Sequence, residues 1–189
     1  MLAGATTIGP DNSELDFAAR IAGMRFPMRA CDTIDLSVPS TTEFVIEGEL
    51  LAGERRPEGP YGDWMDYYIP VMNNHVFRVR KALARKNAMF YAVAAGSPEE
   101  MAMSAIPIAG MIYRAIRTYV PSVLDVVCYP FPQFCVVQIK KGFEGQARKA
   151  MLGAFGAEMN RLLYCVVVDE DVNAHDLRDV IWAMTTRCR

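Results

Sequence analysis

Two acids, Glu58 and Asp63, flank a Gly-Pro-Tyr-Gly core in the stretch Arg55-Arg56-Pro57-Glu58-Gly59-Pro60-Tyr61-Gly62-Asp63-Trp64. Carboxylates held close together can do acid–base work. On a regular strand, positions five apart point to opposite faces. Gly59 and Gly62 allow backbone angles that other residues avoid, and Pro57 and Pro60 stiffen the chain. A tight turn can therefore bring both acids to one side. A plain surface turn accounts for the same residues, because Gly, Pro and Asp are ordinary turn formers.

Other chemistries find little support. The five cysteines, Cys31, Cys128, Cys135, Cys165 and Cys188, are scattered and form no CxxC pair. With only His75 and His175 beside them, a zinc site is not expected. Cysteines inside apolar runs behave as small core residues, and a reduced, cytoplasmic setting is the expectation. A net charge of −2 gives no basic field for nucleic acid. No apolar run reaches the ~18 residues of a membrane span, and the opening MLAGATTIGP lacks the form of a secretion signal.

The acids must be held by the surrounding elements. Residues 11–23, DNSELDFAARIAG, predict a short helix with caps at Asp11, Asn12 or Ser13 and a stop at Gly23. In TTEFVIEGEL, Phe44 and Ile46 alternate with Glu43, Val45 and Glu47, the pattern of a half-buried strand. HVFRVRKAL alternates likewise, and the apolar AMFYAVAAG (88–96) predicts an interior strand that forms a hairpin with it. Ser97-Pro98-Glu99-Glu100 is a strong helix start; that helix should run toward Val120, with a bend or break at Pro107. Beyond Pro121, VLDVVCY, FCVVQI and LLYCVVV read as buried strands. Between them a helix at about 145–160 groups Met151, Leu152, Phe155 and Met159 on one face, and a last helix from Asp176 groups Leu177, Val180, Ile181 and Met184. A β-rich first half thus gives way to strand–helix alternation.

Three stretches, VPSTTEFVIEGEL…RRPEGPYGDW, KKGFEGQARKAMLGAF and VVVDEDVNAHDLRDVIWAMTTR, together resemble the UbiD family of decarboxylases, in family order and across nearly the whole chain. The resemblance covers only a middle section of a typical, longer member. It implies an α+β and α/β chain in three parts. Residues 1–96 would be part of a split β-barrel that binds flavin, 97–120 a connecting helix, and 121–189 part of an α/β oligomerisation layer. It implies a reversible, non-oxidative carboxy-lyase acting on an aromatic or α,β-unsaturated acid with prenylated FMN, whose modified ring accepts charge as carbon dioxide leaves. Asp63 would be the proton donor and Glu58 its partner, tied to an arginine. Two acids at close range disfavour double ionisation, so one can hold a proton near neutral pH. Glu14, 44 positions before Glu58, would contact the cofactor phosphate through a divalent metal, Mn2+ or Mg2+, with K+ a further candidate. Without the resemblance, Glu14 is a first-turn acid favoured by the helix dipole.

The family also implies a homo-oligomer, dimer or hexamer, and a flavin prenyltransferase as cofactor supplier. Its remaining metal ligands, an Asn and a His, and its arginine precede the stretch matched by Met1. Leu163 stands where a phosphate-contacting lysine is usual, with Arg161 nearby, and Asp66 where a glycine follows the acid motif. Asp169, Glu170 and Asp171 read as a solvated loop leading to a helix cap, Trp64 as a pocket wall and Trp182 as core or interface. The alternative to a complete enzyme is a non-catalytic assembly subunit that needs another chain for cofactor binding.

Overall fold

The computed structural model describes residues 4, 6, 8–129 and 133–188, so most of MLAGATT and the 130–132 connection lie outside it. The chain divides into two compact units, Ile8–Ser97 and Pro98–Arg189. Among the described residues no helix is long and apolar enough to cross a membrane.

The N-terminal unit opens with α1 (Glu14–Ala22), where the Ser13 hydroxyl accepts the Leu15 N–H at 3.2 Å and Gly23 closes the C-terminus in a left-handed conformation. These are the expected cap and stop. Two short strands, β1 (Met28–Ala30) and β2 (Ser37–Pro39), pair antiparallel. The long strands β3 (Phe44–Glu58) and β6 (Met72–Ala84) form a second antiparallel ribbon, and β4 (Tyr61–Gly62) and β5 (Tyr68–Ile69) a third. The sheets are two-stranded, and no closed barrel forms among the described residues.

Two expectations for this unit change. Residues 88–96 are not a strand: β6 pairs with β3 from Phe44↔Ala84 to Glu58↔Met72, and the chain beyond Ala84 leaves the ladder at Asn87, which takes a positive φ of 59°. The alternation in β3 is also inverted. Phe44 and Ile46 are exposed, as are Phe77 and Val79 on the facing strand, whereas Glu47 is buried. The reason is hydrogen bonding. Glu47 accepts the N–H of Asp32 at 2.9 Å and both the N–H and hydroxyl of Thr33 at 2.6 Å, so its carboxylate ties the 31–36 loop to β3. A buried carboxylate is tolerated when it is satisfied in this way. Next to it β3 slips register between Glu47 and Gly48.

The C-terminal unit is a three-layer sandwich. Its sheet has the order β7 (Val123–Tyr129), β8 (Phe134–Ile139), β9 (Tyr164–Asp169), with β7–β8 antiparallel and β8–β9 parallel. One face packs against α2 (Pro98–Arg117) and α3 (Gln146–Ala157), through Ile108, Ile112, Ile116, Ala150 and Ala154. The other face packs against α4 (Leu177–Arg187) through Val180 and Ala183. Helix α2 begins at Pro98 and runs unbroken through Pro107. Its buried stripe Met101, Ala105, Ile108, Ile112 and Ile116 keeps the helical repeat on both sides of the proline, so packing outweighs the lost hydrogen bond. This helix belongs to the C-terminal unit.

Helix faces are also corrected here. Beyond Gln146, the buried residues of α3 are small, Ala150, Gly153 and Ala154, while Leu152 is 74% exposed, and Phe155 and, just past the helix end, Met159 are exposed as well. Small residues let α3 sit close to the sheet and to Tyr119, whose ring would meet a Cβ at Gly153. In α4, Val180 and Ala183 point inward, leaving Leu177, Ile181 and Met184 exposed. The Gln of KKGFEGQ has a structural task. Buried Gln146 donates to the Ser122 hydroxyl at 2.6 Å and accepts the Gly142 N–H at 2.7 Å, which fixes the loop that feeds α3.

Candidate functional site

The two acids of the motif stand on one continuous strand–turn–strand path within the N-terminal unit. Strand β3 ends at Glu58, opposite Met72 of β6. Gly59 follows with a φ of 105°, a conformation that favours glycine. The Gly59–Pro60 peptide is cis. The chain then enters the β4–β5 ribbon, with Tyr61 opposite Ile69 and Gly62 opposite Tyr68. At its tip the Asp63 N–H donates to the Tyr67 carbonyl at 2.7 Å, and the Asp66 N–H donates to the Asp63 carbonyl at 3.0 Å. These backbone bonds fix Asp63, whose side chain is half-buried. Asp66 takes a positive φ of 64°, a conformation that glycine adopts freely and other residues rarely.

Glu58 is exposed and accepts a hydrogen bond from the Asn74 amide, Nδ2 to Oε2 at 2.5 Å. A bond to a carboxylate is stronger than one between neutral groups, and this one reaches across the β3–β6 ribbon to hold the acid in place. The two arginines beside the motif are engaged elsewhere: Arg56 pairs with Glu54 at 2.6 Å, and Arg55 donates to the Glu54 carbonyl at 2.9 Å. Among the described residues no ion pair joins Glu58 or Asp63 to an arginine.

Glu14 is an exposed acid in the first turn of α1. Among the described residues no group of three His, Cys, Asp or Glu side chains could hold a metal ion. One carboxylate falls short of the several oxygen ligands that Mg2+ or Mn2+ takes; the residues present do not by themselves make the metal site. The other candidates also resolve. His75 lies within β6 opposite Arg55, exposed. His175 pairs its Nε2 with Asp125 at 2.7 Å. Asp171 pairs with Arg187, Glu170 with Lys140 and Arg161 with Glu158. The cap of α4 is Asp176, which accepts the Arg178 N–H at 2.9 Å. Trp182 carries Arg187 over its ring, 4.6 Å from the centroid.

Two polar residues that matter to the site were not visible in the motif. Asn74 lies 16 positions from Glu58, and only the strand register joins them. Glu47 read as a solvent-facing acid in an alternating strand. The hydrogen bonds from Thr33 and Asp32 hold its carboxyl below the usual range, the Thr33 hydroxyl contributing most. The Lys81 hydrogen bond and charge do the same for Asp32, at 2.6 Å. Together they tie the 31–36 loop to both long strands.

Comparison with known proteins agrees with this architecture. The model of the 3-octaprenyl-4-hydroxybenzoate carboxy-lyase Rift-related domain matches residues 1–98, and that of the C-terminal domain of the same carboxy-lyases matches residues 101–189. An uncharacterised protein of Archaeoglobus fulgidus is 37% identical over 180 residues, 93% of this chain and 37% of that protein. Among solved structures, an evolved dimeric form of the UbiD-class enzyme HmfF from Pelotomaculum thermopropionicum, in complex with prFMN, has a TM-score of 0.95. It is 31% identical and covers 100% of this chain and 44% of its own. Vanillic acid decarboxylase of Sedimentibacter hydroxybenzoicus, in an open form, gives a TM-score of 0.87 at 25% identity, over 98% of this chain and 42% of its own. The chain therefore spans less than half the length of each of these relatives. With both family models matched in order and the acid motif intact on its strand–turn–strand path, the chain belongs to the UbiD family.

Proposed function

We propose that this chain carries the acid–base portion of a prFMN-dependent carboxy-lyase acting on an aromatic or α,β-unsaturated carboxylic acid. The observation that carries the reading is the path from Glu58 to Asp63: one acid held by Asn74 at the end of β3, the other fixed by backbone bonds at the tip of β4–β5. A general acid needs a fixed position more than a special residue type. Asp63 delivers the proton to the substrate carbon that loses carbon dioxide, and takes it back in the carboxylation direction. Glu58, held by Asn74 at the end of β3, is its partner in the acid pair. Glu14 contributes one carboxylate toward a divalent metal whose other ligands are not among the described residues.

The test is Asp63→Asn in the enzyme assembled with prFMN and Mn2+. The amide keeps the shape but carries no transferable acid proton. Turnover should fall on the order of 10²–10⁴-fold, with flavin absorbance retained and exchange of solvent deuterium into the same substrate carbon falling in parallel. Normal turnover with flavin bound refutes the assignment.

A second reading is favoured by the apolar side chains that α3 and α4 leave exposed, Leu152, Phe155, Ile181 and Met184. In it, the polypeptide by itself is an assembly subunit that binds prFMN only with a complementary chain. The exposed apolar faces of α3 and α4 are then where copies associate into a dimer or hexamer. Reconstitution with prFMN followed by desalting separates the two: stoichiometric flavin on the polypeptide alone excludes the subunit reading.

A further inference from the structure

In the sequence, Cys128, Cys135 and Cys165 are unrelated positions; the fold puts them in one row. Cys128 lies directly opposite Cys135 in the antiparallel β7–β8 pair, and Cys135 directly opposite Cys165 in the parallel β8–β9 pair. Residues directly opposite across a ladder share a face, and all three pack on the side of the sheet that α2 and α3 cover. The central thiol is fully buried and donates from its Sγ to that of Cys165 at 3.8 Å. Cys165 sits on an edge strand and is half-buried, so it has a route to solvent. None of the three takes part in the acid site.

We propose that Cys135 and Cys165 are a dithiol that oxidises to a cross-strand disulfide in the folded chain, a modification site within the C-terminal unit. Adjacent strands run about 4.8 Å apart, inside the Cα separation of roughly 4.4–6.8 Å that a disulfide spans. Closing the two sulfurs therefore needs side-chain rotation, not strand movement. The route follows from the surroundings of each thiol. Cys135 is held protonated by its hydrogen bond with Cys128, then by that with Cys165 and by burial, so it does not make the first attack. Cys165 attacks a low-molecular-weight disulfide such as oxidised glutathione, forming a mixed disulfide and releasing one glutathione thiol. With Cys165 in the mixed disulfide, Cys135 gives its proton to solvent and its thiolate attacks the Cys165 sulfur; the second glutathione leaves as a thiolate and takes up a proton from solvent. Two thiols are oxidised and one external disulfide is reduced to two thiols. The product links positions 30 apart and staples α3 between β8 and β9.

The experiment uses the full chain with Cys31→Ser and Cys188→Ser, incubated folded with oxidised glutathione, alkylated and digested without reduction. Cleavage at arginine and lysine places Cys128 and Cys135 together on peptide 118–140 and Cys165 on peptide 162–178. The expected result is these two peptides joined, with Cys128 alkylated, and a thermal midpoint raised by several degrees that dithiothreitol reverses. Cys128→Ser should leave the link intact, and Cys165→Ser should abolish it. The proposal is overturned by a Cys128–Cys135 link, by glutathione stably retained on Cys165, or by linkage that appears only in denaturant. Free alkylation of all three thiols after folded-state oxidation overturns it as well. Because peptide mapping of the unaltered row decides the matter, misfolding of either serine variant leaves the result readable.

Discussion

Gly48 is the point where the long β3–β6 ribbon depends on having no side chain. It sits at the register slip next to Glu47, opposite Val79. A Cβ there would run into the Arg78 backbone carbonyl and the ring of Phe77. Two effects of Gly48→Ala oppose each other. Alanine restricts the unfolded chain, a gain of about 0.4–1 kcal/mol where the backbone is compatible. Forcing a methyl group into a filled space costs about 1–3 kcal/mol. The carbonyl belongs to the ladder and cannot rotate away, so the cost should prevail, with a net loss of about 1–2 kcal/mol. Thermal and urea unfolding followed by circular dichroism would read it, at about 2–4 °C per kcal/mol for a chain of this size.

The partners of the clash can be separated. Phe77 is partly exposed and its ring can swing outward, so adding Phe77→Leu to Gly48→Ala should recover part of the loss and leave the carbonyl part standing. Gly53→Ala is a control of a different kind. Its φ is 74° with open space around the missing Cβ, so the cost is conformational, roughly 1–2 kcal/mol, and Phe77→Leu should not relieve it. Gly48→Ala unfolding at or above the midpoint of the unaltered chain would refute the reasoning.

Asn74→Ala removes the donor to Glu58; since that acid is exposed, we expect a loss of about 1 kcal/mol of transition-state stabilisation, roughly fivefold in kcat/KM of the assembled enzyme, and unchanged kinetics would show that Asn74 does not position it. Asp66→Gly should be tolerated, whereas Asp66→Val, a β-branched residue at positive φ, should destabilise by about 1–2 kcal/mol, read in the same unfolding assay. Glu47 has a depressed carboxyl pKa in the fold, so its contribution is present above the unfolded pKa and is lost as pH falls through the folded one. The N-terminal unit should therefore weaken below about pH 4, and Glu47→Gln should flatten that slope in denaturant midpoints measured from neutral to acid pH.

The sequence announces what depends on neighbours along the chain and conceals what depends on neighbours across it. Ser13 and Gly23 mark the ends of α1 because a cap satisfies backbone groups two to four residues away. The turn that carries Glu58 and Asp63 was legible for the same reason: a turn built from Gly59, Pro60 and Gly62 is local chemistry. Hydrophobic pattern was less faithful. It assigned Met151, Leu152 and Phe155 to the core side of α3, yet the close approach to the sheet is made by Ala150, Gly153 and Ala154, which carry little hydrophobic signal. It turned β3 the wrong way round because the three donors that allow Glu47 inside come from Asp32 and Thr33, 15 and 14 positions earlier. Residues 88–96 have strand composition, but a strand also needs a free ladder, and β6 takes β3 as its partner. The register that hides these facts from the sequence also creates the contacts that matter most here. It brings Asn74 to Glu58 in one unit and lines up Cys128, Cys135 and Cys165 in the other. Side chains that meet only across a ladder carry no local motif, so the two candidate acids could be read along the chain and the Asn74 that holds Glu58 could not.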